Sequence, residues 1–118
     1  MKILVIDDEA PILEMVSKAL HRNGYDVVAV SNIPDAAKQI RNNTWDLVIT
    51  DVMIPFKGGF ELVEAIKSNS NTPVIIMTGM SEDVLSATVT KADAIFHKPF
   101  SSTDLLDTVK RLIKMEKS

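Results

Sequence analysis

Five polar residues stand where short apolar runs end: Asp7 and Asp8 after Ile3-Leu4-Val5-Ile6, Asp51 after Leu47-Val48-Ile49-Thr50, Thr78 after Val74-Ile75-Ile76-Met77, and Lys98 after Ala94-Ile95-Phe96-His97. Carboxylates gathered in one place repel one another, and a divalent cation removes that cost. Oxygen-only ligands favour magnesium or calcium over zinc. A carboxylate beside such an ion can also act as a nucleophile and form an aspartyl phosphate. A lysine and a threonine hydroxyl then suit the remaining oxygens of a phosphoryl group, offsetting its charge while the scaffold fixes the line of attack. The set is not arranged for Ser-His-Asp hydrolysis, and no histidine sits at the end of an early strand.

The elements that must position these groups alternate regularly. Continuous apolar runs such as Ile3 to Ile6 read as strands buried on both faces. Ile12, Met15, Val16, Ala19 and Leu20 recur at helical spacing, and Asn23-Gly24 stops that helix. Asp26 to Ser31 is a second strand. Pro34 suits the first turn of a second helix, which turns Ile33, Ala36, Ala37 and Ile40 inward. Asp46 to Asp51 is the third strand, and Pro55 with Gly58-Gly59 marks the loop after it. Phe60, Val63 and Ile66 line a third helix. Pro73 opens the fourth strand. Residues 82–90 form a weaker helix, because Thr88-Val89-Thr90 are poor helix formers. Ala94-Ile95-Phe96 is the fifth strand. Ser101 or Ser102 caps the last helix, and Leu105, Leu106, Val109, Leu112 and Ile113 face inward. Lys110, Arg111, Lys114 and Lys117 complement that helix's dipole rather than forming a nucleic-acid patch.

Five strands alternating with five helices imply an α/β fold, a parallel sheet covered on both faces. In such folds the working crevice lies outside the carboxyl ends of the strands. That rule gathers Asp7, Asp8, Asp51, Thr78 and Lys98 at one edge.

Composition narrows the alternatives. A chain of 118 residues, 46% hydrophobic and 25% charged, is the size and mixture of one ordered domain, residues 1–118. With no cysteine, disulfides, thiol catalysis and zinc-thiolate sites are excluded. A formal charge of -3 argues against nonspecific polyanion binding. No apolar stretch approaches the roughly 20 residues of a membrane helix, and the N-terminus lacks the long apolar run of an export signal. The expectation is a soluble, cytoplasmic protein without membrane insertion. No GxGxxG or GxxxxGK[ST] loop occurs to cradle a nucleotide.

The chain resembles the receiver domains of response regulators over essentially its whole length. The resemblance rests on five signatures in order: Ile3-Leu4-Val5-Ile6-Asp7-Asp8-Glu9, Asp46-Leu47-Val48-Ile49-Thr50-Asp51-Val52-Met53-Ile54-Pro55, Gly59-Phe60-Glu61-Leu62, Pro73-Val74-Ile75-Ile76-Met77-Thr78-Gly79 and Lys98-Pro99-Phe100. It implies a (βα)5 doubly wound, flavodoxin-like sandwich with strand order 2-1-3-4-5. It implies Asp51 as phosphoacceptor, Asp8 as direct magnesium ligand, Asp7 as its partner and the Met53 carbonyl as a backbone ligand, with manganese able to substitute. Thr78 and Lys98 match the hydroxyl and the ammonium that contact the phosphoryl group, and the peptide before Pro99 is usually cis. The implied donor is a phosphohistidine on a sensor histidine kinase or a histidine phosphotransfer protein. The implied output is a changed surface around the fourth helix, fifth strand and last helix that meets a protein effector or drives homodimerisation, with no direct DNA binding. A pseudo-receiver that keeps the fold without phosphorylation is the alternative, and the intact acidic group argues against it.

The remaining residues read more plainly. Glu9 reads as a helix-start charge ahead of the alternative, another acid near the metal; His21 reads as a surface residue, His97 as turned away from Lys98, and Trp45 as a packing residue. Where the family carries an aromatic switch residue, three before the lysine, this chain has Ile95, and Phe96 faces the other way. Gly79 replaces a common alanine and Lys91 a common glycine. The stretch from Thr78 to Lys98 is about two residues shorter than is usual in the family, which predicts a short or irregular fourth helix. Met53 and Met80 occupy positions that tune water access in the family, which predicts a persistent phosphorylated state.

Overall fold

The computed structural model describes residues 1–51, 65–67, 70–79 and 92–117. The elements within them are β1 (Lys2–Ile6), α1 (Ala10–Arg22), β2 (Asp26–Val30), α2 (Ile33–Asn42), β3 (Leu47–Asp51), β4 (Val74–Thr78), β5 (Ala94–His97) and α3 (Ser102–Lys117). Residues 65–67 are helical, the described part of the third predicted helix. The predicted helix over 82–90 lies outside the described residues.

The sheet is parallel throughout, in the order β2-β1-β3-β4-β5. The order reverses between β1 and β3, so a crevice opens at the carboxyl ends of those two strands. Alternation along each strand divides the interior into two layers. Leu4, Ile6, Val48, Val74 and Ile76 pack with Ala36 of α2, Trp45 and Ile66 on one face. Ile3, Val5, Leu47, Ile49, Ile75 and Met77 pack with Val16 and Leu20 of α1 and Leu105 and Val109 of α3 on the other. The central strands β3 and β4 are buried along their whole length, and the edge strands β2 and β5 only partly. Burial on both faces explains why β1, β3 and β4 read as continuous apolar runs.

Local signals fix the helix ends. Asn32 caps α2, its side-chain oxygen accepting from the Asp35 N–H at 2.8 Å. At the end of α1, Gly24 takes a positive φ of 89°, the conformation in which a side chain is strained. Of the two candidate serines, Ser101 caps α3: its hydroxyl accepts from the N–H groups of Thr103 (3.1 Å) and Asp104 (3.4 Å). Trp45 is nearly buried and donates its indole N–H to the Gln39 carbonyl at 3.0 Å, so its role is packing. No helix among the described residues is long and apolar enough to cross a membrane.

Candidate functional site

Strand register alone brings the polar residues together. Ile6 pairs with Thr50, so Asp7 and Asp51 follow side by side at the ends of β1 and β3. Asp51 pairs with Met77, one residue before Thr78, and Thr78 pairs with His97, one residue before Lys98. Asp7 continues the inward parity of Ile3 and Val5, and Asp51 that of Leu47 and Ile49. Both are therefore buried at the top of one core layer; Thr78, at the end of β4, is also buried but has the parity of Val74 and Ile76 in the other layer. Asp8 lies two residues beyond the end of β1 and is exposed.

Lys98 joins the group from the far side of β4. Its Nζ lies 2.8 Å from Asp7 Oδ2, 2.9 Å from Asp51 Oδ2 and 2.7 Å from Glu9 Oε1. Asp7 also accepts the Glu9 backbone N–H at 2.9 Å through Oδ1. The Lys98–Pro99 peptide is cis, and the Lys98 N–H donates to the Thr78 carbonyl at 2.7 Å. One carboxylate oxygen from each of Asp7, Asp8, Glu9 and Asp51 lies within 4.8 Å of the others.

The electrostatics follow from burial and charge. Burial pushes the Asp7 carboxyl above its ordinary 3.8. The Lys98 ammonium and the Glu9 N–H pull it back, and the Asp51 charge adds to the rise, leaving a raised value. Burial works against the Lys98 ammonium, but its three carboxylate partners outweigh that and hold its pKa above the ordinary 10.5. Four carboxylates face one ammonium, so the cluster carries a formal excess of negative charge. Oxygen donors at this spacing fit a hard divalent cation such as magnesium.

A family model, "Response regulator receiver domain", matches residues 3–110. The chain belongs to the response regulator receiver domain family. Among its relatives, this receiver is 36% identical over 119 residues to the phosphate regulon transcriptional regulatory protein PhoB of Escherichia coli, covering 96% of this chain and 52% of that protein. The chain thus spans about half the length of the curated relatives it matches. Among solved structures, it is similar to the receiver domain of the Francisella response regulator 1452, with a TM-score of 0.88, 30% identity and 98% of both chains covered. It is likewise similar to the response regulator TrrA of Thermotoga maritima, solved in complex with Mg(2+)-BeF, with a TM-score of 0.85 and 30% identity over 94% of this chain and 97% of that one.

Of the residues singled out in the sequence of this receiver, the structure brings Asp7, Asp8, Asp51 and Lys98 together, and Thr78 ends the neighbouring strand. Met53 and Met80 lie outside the described residues. Ile95 is 39% exposed, while Phe96 turns to the α1 and α3 side and meets the Phe100 ring edge-on, with centroids 5.8 Å apart. Glu9 departs from the sequence reading. It occupies the N-cap position of α1, but its side chain makes no capping hydrogen bond and goes to Lys98 instead. The available signal was residue type: Glu is a poor N-cap, which leaves its carboxylate for other work.

Proposed function

We propose that this receiver is a phosphoacceptor switch, with Asp51 taking a phosphoryl group from a phosphohistidine on a sensor histidine kinase or a histidine phosphotransfer protein. The observation carrying this reading is that the Lys98 ammonium reaches Asp51 at 2.9 Å within a group of carboxylates suited to a divalent cation. An Asp51 carboxylate oxygen attacks phosphorus as the P–N bond to the donor breaks, and that bond's electron pair leaves on the imidazole nitrogen. Lys98 supplies fixed positive charge to the phosphoryl oxygens, and Thr78 supplies a hydroxyl from the next strand. Both stand on strand ends, so their positions need little reorganisation during transfer.

Asp7, Asp8 and Asp51, with the carbonyl of Met53, would hold magnesium, and manganese would serve in its place. The ion supplies charge stabilisation and orientation to the transferring group. The excess negative charge of the cluster supports this requirement, because a phosphoryl group is itself anionic. The complex of TrrA with Mg(2+)-BeF is in keeping with such a site. Phosphorylation then shifts the population of protein-binding surfaces toward a form that meets a downstream effector or a second copy. This reading has the domain working in the cytoplasm through protein contacts, without binding nucleic acid itself.

Intact mass after incubation with magnesium and a small acyl phosphate tests the reading. The parent is expected to gain one phosphoryl group only when magnesium is present, and Asp51→Asn none. Gain in both proteins moves the acceptor elsewhere. No gain in the parent leaves an interaction module.

A further inference from the structure

We infer that Glu9 is a positioning residue for Lys98: it tethers the ammonium in the resting site and is the acceptor that Lys98 gives up when a phosphoryl oxygen arrives. The inference rests on the phosphoacceptor reading for its second half only. An ammonium has three N–H donors, and all three are engaged, with Asp7, Glu9 and Asp51. A new acceptor can bond Lys98 only if one of these is released.

The three are not equally easy to release. The Asp7 side chain is fully buried and is also fixed by the Glu9 N–H, and the Asp51 side chain is 3% exposed. Before transfer, while Asp51 is still a carboxylate, parting either from Lys98 leaves a buried charge without its partner, which is costly. The Glu9 side chain is 56% exposed and has one more rotatable bond than aspartate. Once released, it is hydrated directly. Its position at the start of α1 does not hold it, because it makes no side-chain capping bond there. Glu9 is therefore the partner whose loss costs least.

Three proteins separate a tether from plain charge repulsion: the parent, Glu9→Gln and Glu9→Asp. Glu9→Asp keeps the charge but shortens the reach. The first measurement is proton exchange of the Lys98 NH3+ group by nitrogen-15 NMR, without metal or phosphodonor. Exchange is expected to quicken roughly three- to fivefold in both variants, the scale of an exposed ion pair. The second is the phosphorylation rate with a small acyl phosphate at saturating magnesium, expected to rise by a similar factor in both. Unchanged Lys98 exchange in both variants overturns the tether. Faster exchange with unchanged phosphorylation rates overturns the release step. A response in Glu9→Gln alone assigns the effect to charge and also overturns the tether. If Lys98 exchange responds in both variants while the parent takes up no phosphoryl group, the tether stands and the phosphoacceptor reading falls.

Discussion

The Nζ of Lys98 stands 2.9 Å from Oδ2 of Asp51, so the residue after β5 reaches across β4 to the end of β3. The same ammonium is the cationic partner of Asp7, whose side chain is fully buried. Structural integrity and the proposed phosphoryl chemistry therefore draw on one charge.

Lys98→Met keeps most of the stem's volume and removes that charge. In metal-free buffer at pH 7 it is expected to cost about 3 kcal/mol, the scale for breaking a buried pair. The sign of the pH dependence follows from Asp7, whose folded pKa is raised above 3.8. A raised carboxyl favours folding most below its unfolded value, and that advantage is lost as pH rises through the folded value. Removing Lys98 raises Asp7 further, so the penalty should grow from pH 4 to pH 7. Lys98 itself has a raised pKa, so its own contribution is present below 10.5 and is lost as pH rises through its folded value. Urea unfolding at pH 4 and pH 7 measures the difference. Equal costs at the two values would contradict the assignment.

Asp93 ties three segments at the opposite edge of the sheet. Its Oδ2 accepts from the Val74 N–H at 2.8 Å and from Lys67 Nζ at 2.7 Å, while its own N–H donates to the Val74 carbonyl at 2.8 Å. Asp93→Ala leaves the Val74 amide at the start of buried β4 without its acceptor. The expected loss is about 1–3 kcal/mol, with faster amide exchange at Val74. Lys67→Met removes the partly exposed ion pair and the hydrogen bond from Lys67 Nζ to the Thr72 carbonyl (3.2 Å), leaves the Val74 amide its acceptor, and should cost less than about 1 kcal/mol. The reverse ranking in urea titrations would show that the ion pair, not the backbone bond, holds this edge.

Much of this arrangement was legible in the residues. The runs Ile3 to Ile6, Leu47 to Ile49 and Val74 to Met77 are apolar at every position because β1, β3 and β4 are covered on both faces. Parity could even have separated Asp7 from Asp8: Asp7 continues the inward alternation of Ile3 and Val5, and Asp8 falls beyond the strand. The partner of Glu9 was not legible, because Lys98 lies 89 residues away and meets it only through the β1–β3–β4–β5 order. The choice of Ser101 over Ser102 was open for a related reason. Both suit a cap, and the path of the chain from Pro99 decides which hydroxyl faces the first turn. The short fourth helix and the roles of Met53 and Met80 fall outside the described residues.

Burial separates Leu105 from Ile95. Leu105 is fully buried between α3 and the sheet, whereas Ile95 is 39% exposed on the edge strand β5. Leu105→Ala should cost about 2–5 kcal/mol through lost burial and the cavity left behind. Ile95→Ser should stay within about 0.5 kcal/mol. Chemical denaturation of the two variants checks the contrast. A large cost at Ile95 would mean that the residue is covered in solution.

Asp7→Asn tests whether the acidic group is kept for binding rather than for stability. The amide oxygen can still accept the Glu9 N–H, and Lys98 retains Glu9 and Asp51 as partners. What disappears is a carboxylate whose ionised form is disfavoured by burial and by the neighbouring Asp51 charge. Without metal at pH 7, the variant should therefore be more stable than the parent by about 1 kcal/mol, a rise of about 4 °C in melting temperature. Magnesium should reverse the ranking. At tenfold over its dissociation constant, a ligand of the folded state contributes about 1.4 kcal/mol to the parent. The variant, with one carboxylate fewer, should gain less than half of that. Calorimetric scans with and without magnesium provide both numbers. A variant destabilised without metal would contradict the electrostatic cost assigned to Asp7, and one that keeps the parent's full magnesium response would remove Asp7 from the proposed ligand set.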